Sequence, residues 1–166
     1  MSQAEDKVGR VWSLMGDVAI AMVVTHNGRG DELRARPMAA HLAPDDNAVY
    51  FLTDAGTPKD QEVRRNNNVC LTFSDHKRFV SVTGHAELLD DRARVKAIWK
   101  AADKAFWKDE NDPAIRVMRV TPEEAEYWES DNFVVTSVKM IAAGVSGKRP
   151  DLGDNQKVHL AGAARV

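Results

Sequence analysis

The sequence predicts a mainly β fold, a small closed or partly closed barrel with peripheral helices. Five or more strand-like runs follow one another in mainly antiparallel succession. Asn27-Gly28, followed by Gly30, is a strong hairpin signal between the first two runs. A long alternating run from Phe79 to Leu89 carries Gly84, which marks a bend or bulge suited to closing a barrel.

Taken in order, Val8, Val11, Trp12 and Met15 fall at i, i+3, i+4 and i+7, an amphipathic helix that Gly16-Asp17 should end. Val18 to Thr25 is a nearly continuous apolar strand, expected to be buried on both faces. The return strand runs from about Glu32 to Ala43. Pro37 removes a ladder donor there and should leave an unpaired or bulged section. A third strand, Ala48 to Asp54, leads into a helix from Pro58 to about Arg65, stopped by Asn66-Asn67-Asn68. Val69 to Ser74 and Phe79 to Leu89 are the next two strands.

Asp90 should cap a longer helix with Val95, Ile98, Trp99, Ala102 and Phe106 as its apolar stripe. Ile115 to Val120 reads as a short strand. Thr121-Pro122-Glu123-Glu124 is a capping box that should open a short helix ending near Trp128-Glu129. Phe133 to Ala143 is a last β-rich run, and the chain from about 144 is a polar tail over the surface or a partner. Nothing divides residues 1–166, so one domain is expected, as the length suggests.

Composition narrows the function. With 43% hydrophobic and 29% charged residues, the chain has the balance of a soluble globular protein. A formal net charge of -2 argues against general nucleic-acid binding. Cys70 is the only cysteine, the N-terminus shows no signal pattern, and the run Val18 to Val24 is too short to span a bilayer. A cytoplasmic protein without a membrane partner is therefore expected.

The most informative stretch runs from Arg34 to Lys59. Arg34 and Arg36 project to the same side of an extended strand. Thr57 is placed as a helix N-cap, with Pro58 first in the helix and Asp60 closing a capping box. Lys59 then sits in the first turn, where unpaired amides and the helix dipole favour an anion. If the two strands pair, these cations form a phosphate seat. Other chemistry is sparse. The histidines are scattered without metal-ligand spacing, so no metal site is expected. Cys70 is expected to pack in a buried strand. Ser74-Asp75-His76 cannot adopt triad geometry, and Gly144 to Lys148 lacks P-loop spacing. Trp12, Trp99 and Trp107 read as core or interface residues. A phosphate seat without catalytic side chains suits a protein whose chemistry belongs to a phosphorylated planar cofactor.

Several segments also carry a family likeness: Arg34-Ala35-Arg36-Pro37-Met38, Phe51-Leu52-Thr53-Asp54, Thr57-Pro58-Lys59, Val80 to Ala86, Val120 to Trp128, and Gly147 to Gly153. In this order they resemble the general stress protein subgroup of the pyridoxamine 5'-phosphate oxidase-like, FMN-binding split-barrel family. The resemblance covers nearly the whole chain. It implies a split β-barrel of six to seven largely antiparallel strands, a homodimer, and FMN at the subunit interface. Arg36, Pro37, Met38 and Ala39 match the strand lining the flavin and its phosphate. Leu52 and Thr53 match the strand contacting the phosphate and ribityl chain, and Thr57 and Lys59 the phosphate-binding helix start. Trp128 matches an aromatic approaching the flavin from the other subunit.

The implied activity is a flavin-dependent oxidoreductase acting on a small molecule; a non-catalytic flavin-binding or redox-sensing module is the alternative. FAD, a deazaflavin or haem are the other cofactors such a barrel would take. Three departures argue against vitamin B6 oxidase activity. Pro58 stands in place of an arginine, Phe79 in place of a flavin-contacting glutamine, and the C-terminal arginine–histidine motif is missing after Trp128.

Overall fold

The computed structural model describes residues 3–27, 32–75, 77–129 and 155–161. Helix α1 (Gln3–Val18) buries Val11, Trp12, Leu14 and Met15 along one face. It runs past Gly16-Asp17 and ends at Ala19, which is left-handed at φ 60°. The Ala19 amide donates to the Met15 carbonyl at 3.0 Å, so a non-glycine residue closes the last turn.

Strand β1 (Ile20–His26) then alternates. Ala21, Val23 and Thr25 are buried, while Ile20 and Met22 are exposed. The expected burial on both faces is therefore corrected: α1 and the barrel interior cover only one side. Strand β2 (Leu33–Ala39) pairs with β1 without a register shift, Pro37 lying opposite Met22. The break expected at Pro37 does not occur, because β2 is an edge strand and can lack an N–H. The break comes at Ala40, whose amide donates to the Ala19 carbonyl at 2.9 Å. Beyond it, β3 (His41–Ala43) pairs with β4 (Ala48–Asp54) instead.

This change of partner shapes the molecule. Strands β5 (Asn68–Ser74), β6 (Arg78–Leu89) and β7 (Ile115–Glu129) complete an antiparallel path ordered β2-β1-β5-β6-β7-β4-β3. Its two ends are consecutive pieces of chain, so the sheet curls until β2 approaches β4. They are not paired to each other, and the seam between them stays open. Helix α2 (Pro58–Arg65) follows β4 beside this seam. The expected split barrel is the fold adopted.

Curling requires a kink in the long strands. The β6–β7 register shifts between Thr83 and Gly84, with Gly84 opposite Pro122. Gly84 thus fills the bulge role expected of it. The segment Thr121–Glu129 is strand, not helix. Its capping-box residues are present, but β6 on one side and β8 (Asn155–His159) on the other satisfy its backbone. Pro122 sits at the bulge, where a missing donor is tolerated.

The core inside the barrel includes Leu14, Phe51, Leu71, Phe73, Met118 and Leu160. A second cluster, Tyr50, Leu52, Val95, Ile115 and Val117, lies behind β4 under helix α3 (Arg92–Ile98). Asp91, not Asp90, caps α3, accepting from the Arg94 amide at 2.8 Å. The expected longer helix stops at Ile98. A 3-10 segment, Ala101–Ala105, turns the chain back so that the Trp99 and Trp107 rings meet at 6.4 Å. Phe106 leaves the expected stripe and is 78% exposed.

Part of the polar tail is likewise a sheet strand. Val158 and Leu160 are buried, and Asn47 Nδ2 donates to the Leu160 carbonyl at 3.1 Å. Cys70 is half-buried on the outer face, its Sγ 3.5 Å from Ser81 Oγ, rather than in the core. The β-rich run expected over 133–143 and the 144–148 loop lie outside the described residues. Among the described residues, no helix is long and apolar enough to cross a membrane.

Candidate functional site

The seam opens into a cleft of about 490 Å³, within the range of small-molecule sites. Three walls form it, and each follows from local sequence. Strand β2 brings Arg34, Arg36 and Met38 on one face, with Pro37 and Ala39 at the rim. The end of β4 brings Leu52, Thr53 and Asp54, and the start of α2 brings Thr57, Pro58 and Lys59.

The helix start is built largely as its sequence predicts. Thr57 Oγ1 accepts from the Asp60 amide at 3.4 Å, and Pro58 occupies the first turn. The capping box is altered: Asp60 Oδ2 accepts from the Gly56 amide at 3.0 Å, one residue before the cap. Arg64 Nε holds the other carboxylate oxygen at 2.8 Å.

Electrostatics at the seam are uneven. Glu62, one turn after Lys59, is buried beneath α2. Arg36 Nη2 donates to its Oε1 at 3.0 Å, and Thr25 Oγ1 donates to its Oε2 at 2.8 Å. Burial pushes the Glu62 carboxyl up, but these hydrogen bonds and the charges of Arg36 and Arg34 hold it below the ordinary range. Lys59 has no carboxylate within ion-pair distance among the described residues. Its Nζ lies 3.4 Å from Met38 Sδ, a weak acceptor. Burial, then the nearby Arg36 charge, lowers its pKa, against opposing pulls from Asp54 and Glu62. A half-buried ammonium beside a thioether and a guanidinium is poorly satisfied, and an anion in the cleft would satisfy it.

The far end of the cleft is aromatic. Phe106 and Trp107 line it with His41 and Asp103. Their rings lie 5.7 Å apart, and Trp107 Nε1 donates to Asp54 Oδ1 at 2.5 Å. His41, half-buried, has a pKa lowered by burial and by Lys100, partly offset by Asp103. It is neutral at physiological pH.

Of the residues singled out from sequence, Arg36, Pro37, Met38, Ala39, Leu52, Thr53, Thr57 and Lys59 all line this cleft. Trp128 does not. It lies on the outer face of β7, opposite Phe79, and is 36% exposed. Sequence reasoning missed His41, Asp54, Asp103 and Phe106 at the cleft, and gave Trp107 only a packing role. It also missed Glu62. A glutamate three residues after Lys59, on the α2 face that buries Val63, was the available signal for the last.

Fold and site together define a class: a split β-barrel with a cationic, helix-tipped cleft at its seam. The family described as pyridoxamine 5'-phosphate oxidase like matches residues 6–151, and the chain belongs to it. It is 25% identical over 160 residues to Protein bli-3 of Neurospora crassa, covering 88% of this chain and 76% of that protein. A general stress protein 26 candidate from Jannaschia sp. CCS1 superposes at TM-score 0.70 and 21% identity, covering 94% of this chain and 99% of that one. The general stress FMN/FAD binding protein of Xanthomonas citri superposes at TM-score 0.64 and 21% identity, covering 78% and 89%. At these identities the structural likeness is one of fold.

Proposed function

We propose that the protein is a flavin-dependent oxidoreductase that holds FMN in the seam cleft of a homodimer. The observation that carries this reading is the convergence of Arg34 and Arg36 from β2 with Lys59 from α2 on one cleft. A phosphate monoester carries nearly two negative charges at neutral pH, and the under-satisfied Lys59 and the α2 N-terminus fit that charge. Family membership and the flavin-binding relative from Xanthomonas citri support the same reading.

Bound flavin supplies hydride or electron transfer, so the protein need only bind, orient and shield it. Arg36, Lys59, Thr53 and Thr57 hold the phosphate end. Pro37, Met38 and Ala39 on one wall and Leu52 on the other flank the ring. Neutral His41 offers a hydrogen-bond donor and an acceptor at the aromatic end. Pro58 contributes no charge to the seat, in keeping with a substrate other than a vitamin B6 phosphate.

The dimer has its own support. The strand registers place Ile20, Met22, Leu33, Phe79 and Trp128 on one outer sheet face. All are exposed, and such an apolar face marks an interaction surface. A partner seated there would cover Trp128, the residue that the family likeness matches to an aromatic approaching the other subunit's flavin.

Titration of FMN followed by flavin fluorescence tests the site. Arg36→Glu with Lys59→Glu should abolish binding; unchanged affinity overturns the assignment. Mass spectrometry of the copurifying ligand separates FMN from FAD, a deazaflavin or haem. Anaerobic reduction by NADH or NADPH supports turnover, and a flavin reduced by neither points to a store or sensor.

A further inference from the structure

Glu62 occupies a costly position. A buried carboxylate is tolerated only when hydrogen-bonded and paired, and Glu62 is 3% exposed. Its partners come from two other elements, β1 and β2. Thr25 on β1 donates to Oε2 at 2.8 Å; Arg36 on β2 donates to Oε1 at 3.0 Å, and its Nη1 lies 2.9 Å from Oε2. Arg36 Nη1 also donates to Thr25 Oγ1 at 3.2 Å, which closes a ring of three side chains. Thr25 is 1% exposed, so water does not compete for its hydroxyl.

This ring lies directly behind the cationic end of the cleft. Strand β2 is an edge strand, held by a ladder on one side only. Across the seam, the Glu62 carboxylate fixes the Arg36 guanidinium to α2, the helix that also carries Lys59. One helix thus supplies one cation and sets the pose of the other. Of the five guanidinium N–H groups, the ring occupies only some, and Arg36 still lines the cleft.

We propose that Glu62, seated by Thr25, is the positioning residue that presents Arg36 to the phosphate of the bound flavin. This rests on the reading that the cleft takes FMN by its phosphate. Glu62 serves the phosphate end alone, since its partners are Arg36, the more distant Arg34 at 3.9 Å, both of that end, and a buried threonine. The contrary role, an internal counter-ion competing with the ligand, would have the opposite sign: removing its charge would tighten binding.

The test compares FMN with riboflavin, which lacks the phosphate, by equilibrium fluorescence titration. Glu62→Gln preserves shape and removes the charge. It should weaken FMN binding about tenfold, the scale of a hydrogen bond between charged groups, and leave riboflavin affinity unchanged. In an Arg36→Met background, Glu62→Gln should add no further loss. Thr25→Val should show the same pattern more weakly, and it carries the test if Glu62→Gln does not fold. Unchanged or tighter FMN binding in Glu62→Gln overturns the proposal, as does equal loss for both ligands, the mark of a purely architectural role. If the unsubstituted protein binds FMN no better than riboflavin, or binds neither, the underlying reading of the cleft fails, and this inference with it.

Discussion

Gly84 of β6 packs directly against the backbone of Thr121 on β7. A Cβ added to Gly84 would overlap the Thr121 carbonyl oxygen and reach the Pro122 Cα at 3.0 Å. Both obstacles are backbone, at the bulge that kinks the two longest strands, so neither can swing aside. Gly84→Ala should therefore destabilise the fold by about 1–3 kcal/mol, the usual scale of overpacking. Thermal unfolding by circular dichroism would register this as a drop of several degrees; an unchanged midpoint would show that the bulge has slack.

Lys59 should report on ligand charge through its proton. Its pKa is lowered by burial and by Arg36. Between the folded value and the ordinary lysine value of about 10.4, the unfolded chain binds more protons, so this group's contribution to stability rises with pH across that window. A phosphate placed beside the ammonium raises its pKa again. FMN binding in the alkaline range should thus take up a fraction of a proton, and affinity should fall as pH rises through the window. Calorimetry in buffers of different ionisation enthalpy measures the uptake. Lys59→Gln should abolish it and flatten the pH dependence; uptake that persists in this variant would place the proton elsewhere.

The outer sheet face makes a separate claim about assembly. Met22 lies near its centre, opposite Pro37 on β2 and Thr72 on β5. It is 37% exposed in the single chain. Met22→Lys places a charge on the apolar patch without touching the barrel interior. The expected outcome is a halved mass by light scattering with an unchanged circular dichroism spectrum. A dimer that survives would move the interface to another face.

The parts readable from sequence were those decided within a few residues. Thr57, Pro58 and Asp60 announce a helix start, and the alternation of Arg34 and Arg36 needs only an extended backbone. Thr121–Glu129 shows the limit. Its residues cap a helix as well as they fill a strand, and only pairing with distant β6 and β8 decides between them. The same holds for Glu62, which meets Arg36 across 26 positions of chain. Ala40 is a further case: its amide leaves the β2 run for the Ala19 carbonyl, and the switch of partners that opens the seam follows from that contact. The aromatic wall was hidden because Phe106 continues a helical stripe in sequence and Trp107 reads as a core or interface residue, while the chain itself turns back at Lys100.

That wall supports a last prediction. Trp107 Nε1 donates to Asp54 Oδ1, and Asp54 is one of the two carboxylates that pull the Lys59 pKa upward. The indole hydrogen bond occupies part of a carboxylate that would otherwise turn to the ammonium. Trp107→Phe keeps an aromatic ring against Trp99 and Phe106 but removes the donor. Asp54 is then free to pair with Lys59, which competes with an incoming phosphate. FMN affinity should fall a few-fold, the scale of a partly exposed ion pair that the phosphate must displace, while Trp107→Phe with Asp54→Asn should restore it. Fluorescence titration of both variants decides the matter. A double variant as weak as Trp107→Phe would mean that the ring itself, and not the release of Asp54, carries the effect.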